Sequence, residues 1–417
     1  MKKLLIIIFA VISFLHTGIF AQDLPISGDE VPQLKGFDVG VTAFMKKWNV
    51  PGGQVAVCKD GRLVYSRGFG YGDLNGKEPV NTKNMFRIAS VSKPITGVAI
   101  MKLVEEKKLS LDDKAFRILD DLTPLPGKTV DPRLYDITIR MLLEHVAGWT
   151  IDAGDRQIKF LRIGADAFGL PRPADQKTII RYAIGDTLDF TPGTKYSYSN
   201  FGYNILGRII EKITGKTYER YVQEDILKTA GITDMQIAKT KLSQRLPNEV
   251  MYKGLPEMEP VWSVLDDDQM QVTYPYGGDF YIEVMDAHGG WLSNAEDLMK
   301  FVTSVDTKTK RPHILKDETV KLMLAEPLVK SLSPDEYYAK GWDYQASTDS
   351  WWHAGALFGT SSFIFRFGDG VSVALVFNYL PMTELGDYFT DMKGSLVPNA
   401  IKSVSEWPGI GIDKWEK

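Results

Sequence analysis

Apolar and polar positions alternate between helical and strand spacing in a pattern that divides the chain into three stretches. Residues 35–48 have helical spacing and end at Val50-Pro51-Gly52-Gly53. Two apolar runs follow, Gln54–Cys58 and Leu63–Phe69, flanking Lys59-Asp60-Gly61-Arg62. An Asp-Gly pair between such runs predicts a tight β-hairpin. Residues 90–107 predict a helix whose apolar side is Ile95, Val98, Ala99, Met101, Leu103 and Val104.

From about 112 to 285 the pattern becomes mainly helical and loop-like. Thr138 is placed to cap a helix over Ile139–His145 that stops at Ala147-Gly148. Residues 201–214 put Ile205, Leu206, Ile209, Ile210 and Ile213 on one face and end at Gly215, a common helix stop. Thr217 opens a further helix ending before Gly231, whereas 255–285 reads as loops or short strands. Ser293-Asn294-Ala295-Glu296 reads as a capping box opening a helix to Val305. Ser361–Phe367 and Val371–Tyr379 bracket Gly368-Asp369-Gly370, a second hairpin signal, and a closing helix from Thr383 to Val397 is expected to halt at Pro398.

These elements predict an α/β plus all-α fold. Its antiparallel sheet draws strands from both ends of the chain, is flanked by N- and C-terminal helices, and carries an inserted helical lobe. The expected division is 22–111 with 286–417 as a discontinuous α/β lobe, and 112–285 as the helical lobe. The cleft between such lobes is a common place for a ligand.

The first residues break the pattern. A basic head, Met1-Lys2-Lys3, precedes the apolar run Leu4–Leu15 and the polar exit after Ala21. This is the order of a secretory signal over residues 1–21, and the run is short for a membrane span. An exported, periplasmic or secreted protein with no stable membrane span after cleavage is the expectation; a retained N-terminal anchor is the alternative. Removing Lys2 and Lys3 leaves 47 basic residues against 53 acidic ones, so the formal charge moves from -4 to -6. A mildly acidic, mixed surface argues against nucleic acid as partner. With Cys58 the sole cysteine, no intrachain disulfide can form, and its apolar run marks it as a buried strand thiol.

The candidate chemistry lies in three separated segments. In Ser90-Val91-Ser92-Lys93-Pro94, residues i and i+3 share a helix face, so Ser90 and Lys93 can touch. Pro94 is tolerated only in the first helical turn and so places Ser90 at the helix N-terminus, where free N–H groups favour an oxyanion. Lys93 can act as a base only if its surroundings lower its pKa. Tyr196-Ser197-Tyr198-Ser199-Asn200 follows Pro192-Gly193 and puts Tyr198 and Asn200 where both can face one cavity. A tyrosine beside a lysinium can ionise more easily and shuttle a proton, and Asn200 can hold both a substrate amide and the lysine. Trp352-His353-Ala354-Gly355-Ala356 precedes the last hairpin; its small residues let a substrate lie along the backbone, and the Ala356 N–H is the expected second oxyanion donor. Each segment alone also fits a plain structural role: a capped surface helix, a helix cap, or a histidine in an aromatic cluster.

Taken in order, the three segments resemble the serine β-lactamase and DD-peptidase superfamily, in the branch of class C β-lactamases, DD-carboxypeptidases and related esterases. Phe86-Arg87-Ile88-Ala89, Leu142 to Gly148, Pro192-Gly193 and Gly289-Gly290-Trp291-Leu292-Ser293 match in character as well. The resemblance spans about residues 38–380. It implies Ser90 as nucleophile, Lys93 as its lysine, Tyr198 as base and Asn200 as hydrogen-bonding asparagine. His353 would be the third-motif residue, with Gly355 and Ala356 on the oxyanion side. The implied reaction is hydrolysis of ester or amide bonds through an acyl-enzyme, on D-amino-acid peptides, cell-wall fragments or small esters. The substrate would be a small molecule or peptide, β-lactams included; a β-lactamase proper and a non-hydrolysing penicillin-binding receptor are the alternatives. The chain departs from class C enzymes in having His353-Ala354-Gly355 where they have Lys-Thr-Gly, which weakens attraction for a carboxylate-bearing antibiotic.

Other catalytic signatures are missing. No Gly-x-Ser-x-Gly elbow and no His-Glu-x-x-His pair occur, so neither an α/β-hydrolase site nor a metal is expected, and no cofactor is implied. Gly68-Phe69-Gly70-Tyr71-Gly72 lacks the Lys-Ser or Lys-Thr of a phosphate loop. His145 reads as a turn residue, and the loops at 149–190 and 255–285 are expected to shape the pocket.

Overall fold

A computed structural model describes residues 24–409 apart from 153, 255–259, 266–270, 279 and 331–332; the leader at 1–21 lies outside the described residues. The chain opens with β1 (Ile26–Ser27) and helix α1 (Lys35–Trp48), which Asn49 ends in a left-handed turn. The hairpin of β2 (Gly52–Lys59) and β3 (Arg62–Gly70) turns at Asp60 and Gly61, whose φ values of 52° and 78° fit the type I′ geometry that matches strand twist. β4 (Phe86–Arg87) leads through a 3₁₀ turn at Ala89–Val91 into α2 (Ser92–Glu105).

The helical lobe comprises α3 (Ala115–Ile118), α4 (Ile139–Leu143), α5 (Arg156–Ala167), α6 (Gln176–Ala183), α7 (Asn200–Thr214) and α8 (Tyr218–Tyr221). Thr138, Asp155, Asp175, Ser199 and Thr217 each accept an orphan N–H at a helix start. The helix from Thr217 widens to a π-turn at Val222–Ile226 and ends at Gly231. β5 (Gln236–Ile237) follows, then the short pair β6 (Val261–Trp262) and β7 (Gln271–Val272). Residues 236–253, grouped by pattern with the helical middle, run back along the sheet lobe. β5 pairs with β8 (Trp291–Ser293), and the N–H groups of Met251 and Lys253 donate to Gly72 O and Asn378 O.

Helices α9 (Ala295–Val305) and α10 (Asp317–Leu324) precede β9 (Glu336–Tyr338), β10 (Asp343–Gln345), β11 (Ser350–Leu357), β12 (Thr360–Arg366) and β13 (Val371–Phe377). The main sheet is antiparallel in the order β1-β3-β2-β13-β12-β11-β10-β9, so strands from the two chain ends meet at β2 and β13. Alternation assigns its faces. Val55, Val57, Phe363, Val373 and Leu375 pack under α1 and the C-terminal helices, whereas Ala56, Cys58, Ile364 and Ala374 face α2 and α9. Each fully buried Val, Leu or Phe on these faces stabilises the fold by about 1.5–3 kcal/mol.

Two expectations about helix ends are corrected. The cap of α9 is Asn294, which accepts from Asp297 N–H at 2.8 Å and donates to its carboxylate at 2.9 Å. The box is displaced by one residue because Glu296 is drawn away to Ser66 and Lys83. Pro398 does not stop the closing helix. α11 (Leu385–Asp391) widens to a π-turn at Met392–Leu396, and α12 (Val397–Lys402) then restarts with the proline in its first turn, where a missing N–H is harmless.

Candidate active site

The site is built on the loop that joins the small sheet β4-β8-β5 to α2. Ile88 N–H donates to Trp291 O at 3.0 Å, and Trp291 N–H donates to Ser92 Oγ at 3.3 Å, which fixes the start of α2 against β8. Ala89 has φ 45°, a left-handed conformation unusual outside glycine, and it turns the chain immediately before Ser90. Ser362 Oγ donates to Ile88 O at 2.6 Å, holding this loop on β12. Gly355 is required at this contact, because a Cβ there would collide with Ile88 O and Ser362 Oγ. The glycine therefore serves the packing of β11 on the Ser90 loop, a reason beyond substrate access.

One turn into α2, Lys93 is fully buried. Its Nζ lies 3.2 Å from Ser90 Oγ, 2.6 Å from Asn200 Oδ1 and 2.9 Å from His288 O. The Tyr198 and Tyr203 rings lie 4.7 and 5.7 Å away. Burial disfavours the ammonium form and lowers Lys93 to about 7, against an opposing pull from the Asp155 carboxylate.

Tyr198 hydrogen-bonds Ser90, but burial raises its pKa well above the ordinary phenol value, and the charges of Tyr196, Tyr203 and Asp343 push the same way. The expected easier ionisation of Tyr198 is thus corrected: desolvation outweighs the lowering effect of the Ser90 hydrogen bond, and the phenol keeps its proton. Ser199 begins α7 by accepting Gly202 N–H at 3.1 Å, and this cap fixes Tyr198 and Asn200 on either side of it. Asn200 Nδ2 donates to Asp155 Oδ2 at 2.5 Å. Because a carboxylate can only accept, this bond leaves Asn200 Oδ1 facing Lys93. Asp155 also caps α5 through Gln157 N–H at 2.9 Å.

His353 on β11 is 3% exposed. Its Nδ1 lies 2.6 Å from Ala354 O, a pure acceptor, so Nδ1 carries the proton and Nε2 accepts from Tyr338 Oη at 3.1 Å. Burial and the Lys93 charge lower His353 to about 3, so the ring is neutral near pH 7. The geometry therefore gathers Ser90, Lys93, Tyr198, Asn200 and His353 into one basin, with Gly355 packed on the Ser90 loop and Ala356 next along the strand.

Several residues around this basin escape a sequence reading. Asp155 is one of many acids preceding a helix, and His288 contributes a backbone carbonyl that no side chain advertises. Tyr338 and Tyr203 reach in from distant elements with their hydroxyls 3.4 Å apart. His145 is the turn residue expected, with φ 59°, yet its ring lies 4.5 Å from both Tyr198 and Tyr338, and its Nδ1 accepts Ser199 N–H at 3.1 Å. Of the loop at 149–190, Thr150, Ile151, Gly154 and Asp155 line a small cavity beside Tyr198 and Asn200. The loop at 255–285 is described only in part. Trp149, Trp291, Trp342, Trp351 and Trp352 are core residues, and Trp262 is exposed. Among the described residues, no cluster of three or more His, Cys, Asp or Glu is disposed to hold a metal ion.

Residues 38–389 match the β-lactamase family. The chain belongs to that family. Protein flp of Staphylococcus aureus (strain COL) is 24% identical over 323 residues, which are 77% of this chain and 58% of that relative; the chain thus spans less than two thirds of the relative's length. The D-amino acid amidase from Ochrobactrum anthropi SV3, solved with L-phenylalanine amide, superposes with a TM-score of 0.67 at 20% identity, covering 90% of this chain and 99% of the amidase. The octameric penicillin-binding protein homologue from Pyrococcus abyssi gives 0.62 at 24% identity, covering 86% and 77%. EstCE1, a hydrolase with promiscuous acyltransferase activity, gives 0.62 at 22% identity, covering 89% and 99%. These likenesses show a shared β-lactamase/transpeptidase fold.

In this β-lactamase-family protein, burial sets the charge balance of the basin. Lys93 is poised near neutrality, His353 is uncharged, and Tyr198, Tyr203 and Tyr338 all hold their protons through burial. The basin is rich in hydrogen-bonding groups and poor in fixed positive charge.

Proposed function

We propose that this protein is an exported serine hydrolase that cleaves ester or amide bonds through an acyl-enzyme on Ser90. The observation that carries the reading is the position of Lys93, held by Asn200 Oδ1 and His288 O with its amine 3.2 Å from Ser90 Oγ and its pKa lowered to about 7. A neutral amine at that distance can take the Ser90 proton as Oγ attacks a carbonyl carbon. The oxyanion is received by the backbone N–H groups of Ser90 and Ala356. As the tetrahedral intermediate collapses, Tyr198 delivers a proton to the leaving group and recovers it from Lys93. Water, deprotonated by the same lysine, then releases the acyl group and restores Ser90.

D-amino-acid amides and peptides, cell-wall fragments and small esters are the substrates favoured. The named activities of an amidase and a hydrolase that share the fold support this choice. A β-lactamase proper is the weaker reading, since the neutral His353 offers no cation to an antibiotic's carboxylate. A penicillin-binding receptor is the other alternative, distinguished by slow or absent turnover with a persistent acyl group on Ser90. Export is tested by sequencing the N-terminus of the mature protein, expected at Gln22. The function is tested by assaying purified 22–417 on p-nitrophenyl esters, D-Ala-D-Ala peptides and nitrocefin. Ester or amide turnover that disappears in Ser90→Ala supports the reading, and turnover that persists in that variant refutes it.

A further inference from the structure

The turn that ends α4 grips the Tyr198 segment through a single residue. Ser197 N–H donates to His145 O at 2.8 Å, and Ser199 N–H donates to His145 Nδ1 at 3.1 Å. His145 therefore holds the backbone amides of the residues on either side of Tyr198. Its ring centroid lies 4.5 Å from that of the phenol, tilted by 42°. The rings of Tyr338 and Tyr203 pack on the same imidazole at 4.5 and 5.1 Å. The rest of the turn is fastened to the same stretch: Tyr203 Oη donates to Leu143 O at 3.0 Å, and Gly193 N–H donates to Val146 O at 2.8 Å.

The imidazole stands in for a local partner. The N–H of a helix N-cap residue is commonly taken by Glu or Gln at the third helical position, which in α7 is Gly202. His145, 54 residues away, supplies the acceptor instead. It does so from the left-handed position after α4, with φ 59°, where glycine or asparagine is the usual choice. A glycine would make that turn at lower cost but would leave Ser199 N–H without the ring. An accepting Nδ1 puts the imidazole proton on Nε2 and commits the ring's lone pair to Ser199, so the ring cannot also serve as a base. Burial above all, together with the Lys93 charge, holds the imidazole well below its ordinary pKa and keeps that acceptor unprotonated.

We propose that His145 is the positioning residue of Tyr198, holding the phenol where it protonates the leaving group while exchanging no proton with the substrate itself. The inference rests on the hydrolase reading and narrows its substrate class. As the tetrahedral intermediate collapses, the C–O or C–N bond to the leaving group breaks. The departing oxygen or nitrogen takes the Tyr198 proton, and Lys93 returns a proton to the phenolate. A p-nitrophenolate is stable enough to leave without that proton, whereas an alkoxide or an amide ion is not. The hold on Tyr198 therefore matters for amides and alkyl esters and is nearly dispensable for activated aryl esters. Amides and alkyl esters are thus the class that the basin is arranged to cleave.

The test is the dependence of kcat/KM on leaving-group basicity, measured with p-nitrophenyl, phenyl and 2,2,2-trifluoroethyl acetate and corrected for each ester's reactivity with hydroxide. His145→Phe and His145→Leu remove the acceptor, with and without an aromatic ring. His145→Asn restores an acceptor near the Nδ1 position and tolerates left-handed backbone. Tyr198→Phe marks complete loss of the proton donor. Tyr198→Phe, His145→Phe and His145→Leu should cleave p-nitrophenyl acetate within about threefold of wild type and trifluoroethyl acetate about 10²-fold more slowly, and His145→Asn should return to within about fivefold on both. Combining His145→Phe with Tyr198→Phe should cost little beyond Tyr198→Phe alone, because the two changes remove one function. An equal loss on all three esters, a dependence unchanged in both variants that lack the acceptor, a His145→Asn profile as steep as theirs, or additive losses in the double variant overturns the role of His145 alone. A Tyr198→Phe profile identical to that of wild type overturns the proton-donor step and this inference with it. Absence of Ser90-dependent cleavage in the wild type overturns the inference together with the hydrolase reading.

Discussion

Replacing Lys93 by arginine tests the energetic core of the account, because it keeps a cation on α2 and removes the base. In the native protein the amine is buried and lowered from 10.5 to about 7. At pH 7 about half of the Lys93 side chains are then neutral, against about three in ten thousand for a lysine in water, a gain of about 1,500-fold in competent base. The neutral fraction rises from about one tenth at pH 6 to about nine tenths at pH 8. Single-turnover acylation by an activated ester should therefore rise about tenfold across that interval and level off above it. An arginine stays charged throughout, so Lys93→Arg should acylate about 10²–10⁴ times more slowly at pH 7.5 and lose the inflection. Stopped-flow release of the leaving alcohol measures both. A wild-type profile that stays flat from pH 6 to 8, together with a Lys93→Arg rate within threefold of wild type, would refute the reasoning.

Three other outcomes are expected. Asp155→Asn removes the carboxylate that both orients the Asn200 amide and favours lysinium, so acylation should slow about tenfold and the lysine inflection should move to lower pH; an unmoved inflection contradicts the Asp155–Asn200–Lys93 connection. Glu144 and Lys340 form a 2.9 Å ion pair with both side chains fully buried, joining the end of α4 to the β9–β10 hairpin. Lys340→Met alone should destabilise the fold by about 3–5 kcal/mol in chemical denaturation, and a change under 1 kcal/mol counts against it. Finally, His353, lowered to about 3, should show the chemical shifts of a neutral imidazole with its proton on Nδ1 from pH 5 to 8 in nitrogen NMR; a titration within that range contradicts the assignment.

What the sequence discloses is what local chemistry controls. Asp60-Gly61 needs left-handed backbone that few other pairs supply, so the first hairpin is legible from two residues. Pro94 is restricted to a first turn, which places the start of α2 and brings Ser90 and Lys93 one above the other. Features set by tertiary competition are less legible. The cap of α9 moves to Asn294 because Glu296 has better partners 213 and 230 residues away in sequence. The closing helix passes Pro398 because a π-turn precedes it. In the site, Ser90, Lys93, Tyr198, Asn200 and His353 are visible as side chains in motif order. The Asp155 bond, the His288 carbonyl and the pKa values of Lys93, Tyr198 and His353 depend on which groups the fold buries together, and composition carries no trace of that.

The measurement that bears most directly on the central claim is intact-protein mass spectrometry, followed by peptide mapping, of the 22–417 protein quenched during turnover of p-nitrophenyl acetate. The account predicts a single acetyl increment on the peptide containing Ser90, preserved by the quench and absent from Ser90→Ala. An acetyl group found on any other residue during productive turnover, or found equally in Ser90→Ala, would contradict it.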